Sequence, residues 1–260
     1  MTRPIAFFVH HQGRGHANRT MALVEAFSRT RPVSTPPALH CVPLGLKEMR
    51  GTMRAIIDHL DARDVGLFVV DVSSEIALLS RIASVPAVQI RMHGDRSDTG
   101  HIASYESSVG MLAPFDESLE QDDYPAHLRA KTFYSGGLCT TRDPVPTREA
   151  ARRKLGLDPA RETIVVLTGG GGAGTPYAPL TVGARALPEA DWLVLGPTLK
   201  EGHETDFSNL RELGWVSNVT DYLAAADIVV ASAGDNTVTE IARVGRPLVI
   251  APEWRYFNEQ

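Results

Sequence analysis

A chain of 260 residues with 43% hydrophobic content has room for one large or two ordinary domains with proper cores, and two is the better fit. A formal charge of −5 at pH 7 argues against a nucleic-acid binder, because affinity for phosphate backbones comes from clustered Lys and Arg that are absent. Cys41 and Cys139, far apart, supply neither a disulfide framework nor a Cys-based metal spacing, and they fit a reducing cytoplasm.

The apolar run at residues 5–9 reads as a strand buried on both faces of a parallel sheet and is too short for a signal peptide or a membrane span. A glycine loop from His10 to His16 follows, then a helical face over 17–28 carried by Met21, Leu23, Val24 and Phe27. Gly13 and Gly15 allow a sharp turn and leave His16 near the helix start, beyond the carboxyl end of the strand, where ligands bind in open α/β sheets. His16 either faces a ligand there or caps the helix. His10, His11 and His16 lack an acidic partner at metal-ligand spacing, so no metal site is read.

Three prolines make 30–37 a loop; 39–43 reads as a short strand and 53–60 as a helix. The pattern strand 66–71, caps Ser73 and Ser74, helix to 83, strand 87–92 is a βαβ unit and points to a parallel doubly wound sheet. A polar loop, His93-Gly-Asp-Arg-Ser-Asp98, leaves that strand at the same sheet edge as His16. A helix at 102–109, a strand at 111–113, an acidic irregular connector at 114–124 read as a solvated face, and a last strand at 131–135 complete a first domain. Residues 136–146 have linker composition, which divides the chain into domains 1–140 and 141–260.

The second domain opens with a basic helix at 147–155 and a buried strand at 163–168. Gly169, Gly170, Gly171, Gly172 and Gly174 follow, a turn through which backbone N–H groups can approach a phosphate. Gly169-x-Gly171-x-x-Gly174 formally satisfies a dinucleotide fingerprint. That reading loses its second half, because the next strand, 192–196, ends at Pro197 without the acidic residue expected to hold a ribose. After a helix at 220–226 and a strand at 227–231, the small turn Ser232-Ala-Gly234 leads through Asp235 and Asn236 into a helix with Val238, Ile241 and Ala242 on one face. That geometry gathers unpaired N–H groups and the positive end of a helix dipole. Glu240 lies further into the same helix; Thr237-x-x-Glu240 also fits a capping box, which would spend the carboxylate on its own backbone.

The segment Ser232-Ala-Gly-Asp-Asn-Thr-Val-Thr-Glu-Ile-Ala242, with Gly245-Arg-Pro247 and a strand ending at Pro252, resembles the donor-binding signature of glycosyltransferase family 28. The glycine loops ending at His16 and Gly174 fit the same family. The resemblance implies the GT-B arrangement: two doubly wound parallel-sheet, Rossmann-like α/β domains facing across a cleft, the first on the acceptor side and the second binding a nucleotide sugar. It implies transfer of a sugar from a nucleoside-diphosphate donor, a UDP-sugar, to an acceptor hydroxyl, inverting and without metal or other cofactor. No Asp-x-Asp triplet is present, so leaving-group charge falls to backbone donors and helix N-termini.

By resemblance Glu240 holds the donor ribose, while Ser232, Gly234, Asp235, Asn236 and Thr237 lie against the donor opposite the glycine loop at Gly169–Gly174. A short loop at 216–219 contacts the base. Gln260 begins a sugar-contacting segment. His16 becomes the general base, Gly13 and Gly15 belong to its acceptor-side loop, and His93 and Asp95 are the second choice for acid–base work, against the alternative of a solvated turn. The partners implied are the donor and a hydroxyl acceptor, with no nucleic acid and no transmembrane segment; the location is cytoplasmic, with peripheral membrane contact left open. Family members continue beyond the position of Gln260, so the second domain is expected to be incomplete. Three rivals remain: a nucleotide-sugar epimerase of the same fold, an NAD-dependent dehydrogenase, and a sugar-nucleotide binding protein without turnover.

Overall fold

Short Val- and Ile-rich runs alternate with helices along the chain, and in the computed structural model they pair as parallel strands. The structure describes residues 5–8, 38–39, 41–139, 141–168, 174–202, 204–255, 257–258 and 260. The chain forms one unit from residues 1–136 and 256–259 and another from 137–255 and 260.

The first unit contains β1 (Ile5–Phe8), α1 (Lys47–Ala62), β2 (Leu67–Asp71), α2 (Ser74–Ile82), β3 (Ala87–Ile90), α3 (Thr99–Ser107), β4 (Gly110–Ala113), α4 (Ala126–Arg129) and β5 (Thr132–Tyr134). Its strands pair in parallel in the order β1-β2-β3-β4-β5. Phe68 and Val70 alternate into a core with Leu60, Val65, Ile76 and Ala77, which fixes the register of β2 because a one-residue slip would turn them outward.

Both following helices begin where a side chain satisfies the first free donors. Ser73 Oγ accepts from Ile76 N at 3.3 Å, and Asp98 Oδ1 accepts from Gly100 N at 3.0 Å and His101 N at 3.2 Å. The Asp98 cap starts α3 three residues before the helix read from apolar spacing. Two further expectations are corrected. The described residues of the expected strand 39–43 form turns: Leu39 has φ +57°, and Val42 N donates locally to Leu39 O at 2.9 Å, so it is not offered to a neighbouring strand. The acidic connector is not wholly a solvated face, because the Glu120 side chain is 1% exposed and paired with Arg91.

The second unit contains α5 (Arg148–Leu155), β6 (Thr163–Leu167), β7 (Thr175–Pro176), α6 (Tyr177–Ala186), β8 (Asp191–Leu195), β9 (Thr198–Leu199), β10 (Leu210–Gly214), α7 (Val219–Ala225), β11 (Ile228–Ala231), α8 (Asp235–Val244) and β12 (Leu248–Ile250). The large sheet is parallel in the order β10-β8-β6-β11-β12. Val165, Leu193, Leu195, Val229 and Ala231 meet Leu223 and the Ala224–Ala226 run in one core, where small side chains bring the helix close to the sheet. Asp227 ties the amino ends together: it accepts from Arg152 Nη2 at 2.5 Å and Thr163 N at 2.8 Å, and pairs with Arg148. The two-residue pair β7 and β9 has no periodicity and was not legible beforehand.

Asp98, Glu120 and Asp227 are all held below the usual carboxylate range. Burial works against each, and hydrogen bonds from His101, from Arg91 and Tyr134, and from Thr163, Arg148 and Arg152 outweigh it. The unfolded chain therefore binds more protons at these groups on acidification. Their stabilisation is fully present above the unfolded carboxylate pKa of about 4 and is lost as pH falls through the lower folded values. Thermal unfolding followed against pH is expected to show a midpoint that drops below about pH 4; a midpoint flat to pH 2 would contradict this.

Candidate active site

In the second unit the chain runs outward from β6 to β8 and β10, then returns to the other side of β6 as β11 and β12. The strand order therefore reverses between β6 and β11, and the crevice outside their carboxyl ends is where open α/β sheets bind ligands. Leu167 is in register with Ala231, so the next residues, Thr168 and Ser232, leave the sheet side by side, 3% and 7% exposed. Gly169, Gly170, Gly171 and Gly172 lie outside the described residues; the described residues on either side of them are tied together. Thr168 and Thr175 share a hydroxyl hydrogen bond, and Thr175 N donates to Pro197 O at 2.9 Å. Gly174 sits at φ +122°, and a Cβ there would lie 3.0 Å from Pro197 O, so only glycine fits.

Beside Thr168, Ser232 and Gly234 lead into α8, whose N-cap is Gly234 and which no side chain caps. Asp235, Asn236 and Thr237 form its first turn, with Val238 N already bonded to Gly234 O at 2.9 Å. An uncapped helix N-terminus at a topological switch point can receive a diphosphate through backbone N–H groups. The helix begins two residues before Thr237, so Thr237 is not an N-cap and the capping-box alternative for Glu240 does not hold. Glu240 stands about one and a half turns into α8, half-buried, and accepts from Thr220 Oγ1 at 3.4 Å; Arg243 Nη2 donates to the same hydroxyl at 3.2 Å. Asn218 occupies the N-cap of α7 but directs its Nδ2 to Asp221 Oδ2 at 3.1 Å. Gln260 Oε1 accepts from Glu253 N at 3.0 Å.

In the first unit His16, Gly13 and Gly15 lie outside the described residues. The loop after β3 is described. His93 packs edge-on against Phe115, ring centroids 5.6 Å apart. Asp95 accepts from Ser97 Oγ at 2.6 Å and Ser97 N at 3.4 Å, and these bonds hold its carboxyl below the usual range. A carboxylate made more acidic and tied into its own turn is a poor proton acceptor near neutral pH, which leaves His93 the better of the two.

The sequence reading did not single out a second cluster in this loop. Arg96 Nη1 donates to His101 Nε2 at 3.3 Å, which puts the ring proton on Nδ1, facing Asp98 Oδ2. Phe257 closes the cluster: its carbonyl accepts from Asp95 N at 2.7 Å, its ring meets His101 edge-on, and the Arg96 guanidinium lies 4.4 Å from its centroid. The Asp98-x-x-His101 spacing was the available signal, an N-cap aspartate that also reaches a side chain one turn on.

Parallel sheets of this kind, with their candidate turns at strand carboxyl ends, have the fold of the GT-B glycosyltransferases. The Acinetobacter baumannii MurG structure superposes over 97% of this chain and 79% of its own at a TM-score of 0.55 and 14% identity. The UDP-GlcNAc 2-epimerase of Neisseria meningitidis, bound to UDP-GlcNAc, superposes over 95% and 81% at 0.59 and 11%. Residues 193–260 match the Glycosyltransferase family 28 C-terminal domain. Two curated relatives carry the name UDP-N-acetylglucosamine--N-acetylmuramyl-(pentapeptide) pyrophosphoryl-undecaprenol N-acetylglucosamine transferase. That of Saccharopolyspora erythraea is 30% identical over 229 residues, 85% of this chain and 58% of the relative. That of Nocardioides sp. is 36% identical over 117 residues, 42% and 32% respectively. The chain thus spans less than two thirds of either relative.

Proposed function

We propose that this protein is a family 28 glycosyltransferase that moves a sugar from a nucleoside-diphosphate donor, a UDP-sugar, to an acceptor hydroxyl, with inversion and without a metal. The observation that carries the reading is the uncapped N-terminus of α8 at the β6/β11 switch point, where Thr168 and Ser232 leave the sheet side by side. There the departing diphosphate would be stabilised by preorganised backbone donors at the first turn of α8 and at Gly169–Gly174. Glu240, not spent on its own helix, is free in role to accept the ribose hydroxyls. A base must take the acceptor proton as the hydroxyl attacks; His16 is assigned that role and His93 is the second choice.

The reading includes a cytoplasmic site of action, supported by two cysteines that are both unpaired. Among the described residues no helix is long and apolar enough to cross a membrane.

Thermal unfolding of the chain with UDP, with and without EDTA, tests the donor site. At a hundredfold excess over its dissociation constant UDP should add about 2.7 kcal/mol, a shift of several degrees, and EDTA should not remove it. A shift with NAD and none with UDP would overturn the reading. Release of UDP and an altered free sugar without any acceptor would mark an epimerase instead.

A further inference from the structure

The carboxylate assigned to the donor ribose does not stand alone. Glu240 and Arg243 lie about one turn apart on α8, a spacing at which a glutamate and an arginine can pair directly. Here the hydroxyl of Thr220, in the first turn of α7, stands between them. Arg243 Nη2 donates to Thr220 Oγ1 at 3.2 Å, and Thr220 Oγ1 donates to Glu240 Oε1 at 3.4 Å. The direction of this relay is fixed: a guanidinium has only donors, so the hydroxyl must accept from Arg243, and its one proton is left for the carboxylate. Thr220 is 6% exposed, which keeps water from competing for that proton. Arg243 is itself anchored, through Nη1 to Asp143 O at 2.8 Å. Thr220 also stands on a rigid support, because Leu223, Ala224 and Ala225 of the same helix are fully buried in the core and its β-branched side chain is stiff at χ1. One oxygen of a long, flexible side chain is thereby held before any ligand arrives, and rotamer freedom that binding would remove is already given up. The bond uses one of about four lone-pair sites, so the carboxylate still has room for both hydroxyls of a ribose.

We propose that Thr220 is a positioning residue of the donor site: its hydroxyl, polarised by Arg243, holds Glu240 in the orientation that accepts the ribose hydroxyls of a nucleoside diphosphate. The proposal rests on the donor reading above and goes beyond it, since it places the preference for ribose over a sugar without those hydroxyls under the control of a side chain that does not touch the ligand. Without the Thr220 proton, Arg243 is left to pull the carboxylate along its own helix, away from that orientation.

The test is calorimetric titration of UDP and of 2′,3′-dideoxy-UDP into the whole chain, as wild type, Thr220→Val, Thr220→Ser, Arg243→Met and Glu240→Ala, with thermal unfolding to confirm that each is folded. The wild type should prefer UDP by at least about tenfold, and Glu240→Ala should erase that preference. Thr220→Val, which keeps the shape and drops the proton, should weaken UDP about fivefold and leave the dideoxy nucleotide within about twofold; Thr220→Ser should restore the wild-type ratio. Arg243→Met, at a half-buried position that tolerates the change, should cut the preference about threefold and serves if the valine variant does not fold. A residue that merely joined α7 to α8 would lower the unfolding midpoint and leave the ratio of the two affinities unchanged. That ratio, intact in Thr220→Val and Arg243→Met but lost in Glu240→Ala, overturns this proposal alone. A preference that survives Glu240→Ala, or a wild type that binds neither nucleotide, overturns the assigned role of Glu240 or the donor reading itself, and this proposal with it.

Discussion

Glu240→Ala should weaken UDP binding by about 10- to 100-fold and leave the stability of the ligand-free chain within about 1 kcal/mol. The first figure follows from the role: hydrogen bonds to a charged group are worth about 1.5–3 kcal/mol net, and a carboxylate that receives ribose hydroxyls loses at least one of them on truncation. The second follows from the surroundings. Glu240 is half-buried, its one hydrogen bond described here is the 3.4 Å contact with Thr220, and it does not cap α8. Alanine also raises the intrinsic helix propensity at that position. Calorimetric titration of UDP into both proteins gives the affinity, and urea unfolding gives the stability. Glu240→Gln, which keeps an acceptor oxygen and drops the charge, should fall between the two. Equal UDP affinity in the wild type and the alanine variant would remove Glu240 from the donor site.

That prediction rests on a point the sequence left open. Small residues at Ser232–Gly234 and the 3.6-residue spacing of Val238, Ile241 and Ala242 made the turn and helix legible, because both signals are local. Whether Thr237 opened the helix or lay inside it decided what Glu240 could do, and Thr237-x-x-Glu240 reads the same either way. The start at Asp235 decides it. The adjacency of Thr168 and Ser232 was also outside local reach, since it depends on β11 pairing with β6 across an excursion through β8 and β10. In the first unit the βαβ rhythm was visible in Val69, Val70, Val88 and Ile90. The Arg96–His101–Asp98 cluster was not, because its closing member, Phe257, lies about 150 residues away. Composition likewise hid Glu120 among Asp116, Glu117, Asp122 and Asp123, where nothing distinguishes the one buried carboxylate from its solvated neighbours.

Removing that carboxylate should be the most damaging single change in the first unit. Arg91 and Glu120 are 0% and 1% exposed at the side chain and pair through both guanidinium nitrogens, one contact being Nη2 to Oε1 at 2.9 Å. Tyr134 Oη donates to Glu120 at 2.6 Å, and burial together with that carboxylate pushes the phenol's pKa up. Arg91 also lies 3.8 Å from the centroid of the Tyr124 ring. Glu120→Ala leaves a desolvated guanidinium with no counter-charge and deprives Tyr134 of its acceptor, for an expected loss of about 3–5 kcal/mol. Arg91 directly follows β3 and begins the loop that carries His93, so the loss should appear there first, as faster amide exchange at residues 92–98 than at the core of β2. The pair's own net contribution is a different quantity. Desolvating two charges costs about as much as their attraction returns, so Arg91→Met with Glu120→Leu should recover at least half of what Glu120→Ala loses. Urea midpoints of the three proteins measure both. A double variant no more stable than Glu120→Ala would mean that the pair, with its rings, holds the loop root through geometry that apolar packing cannot replace.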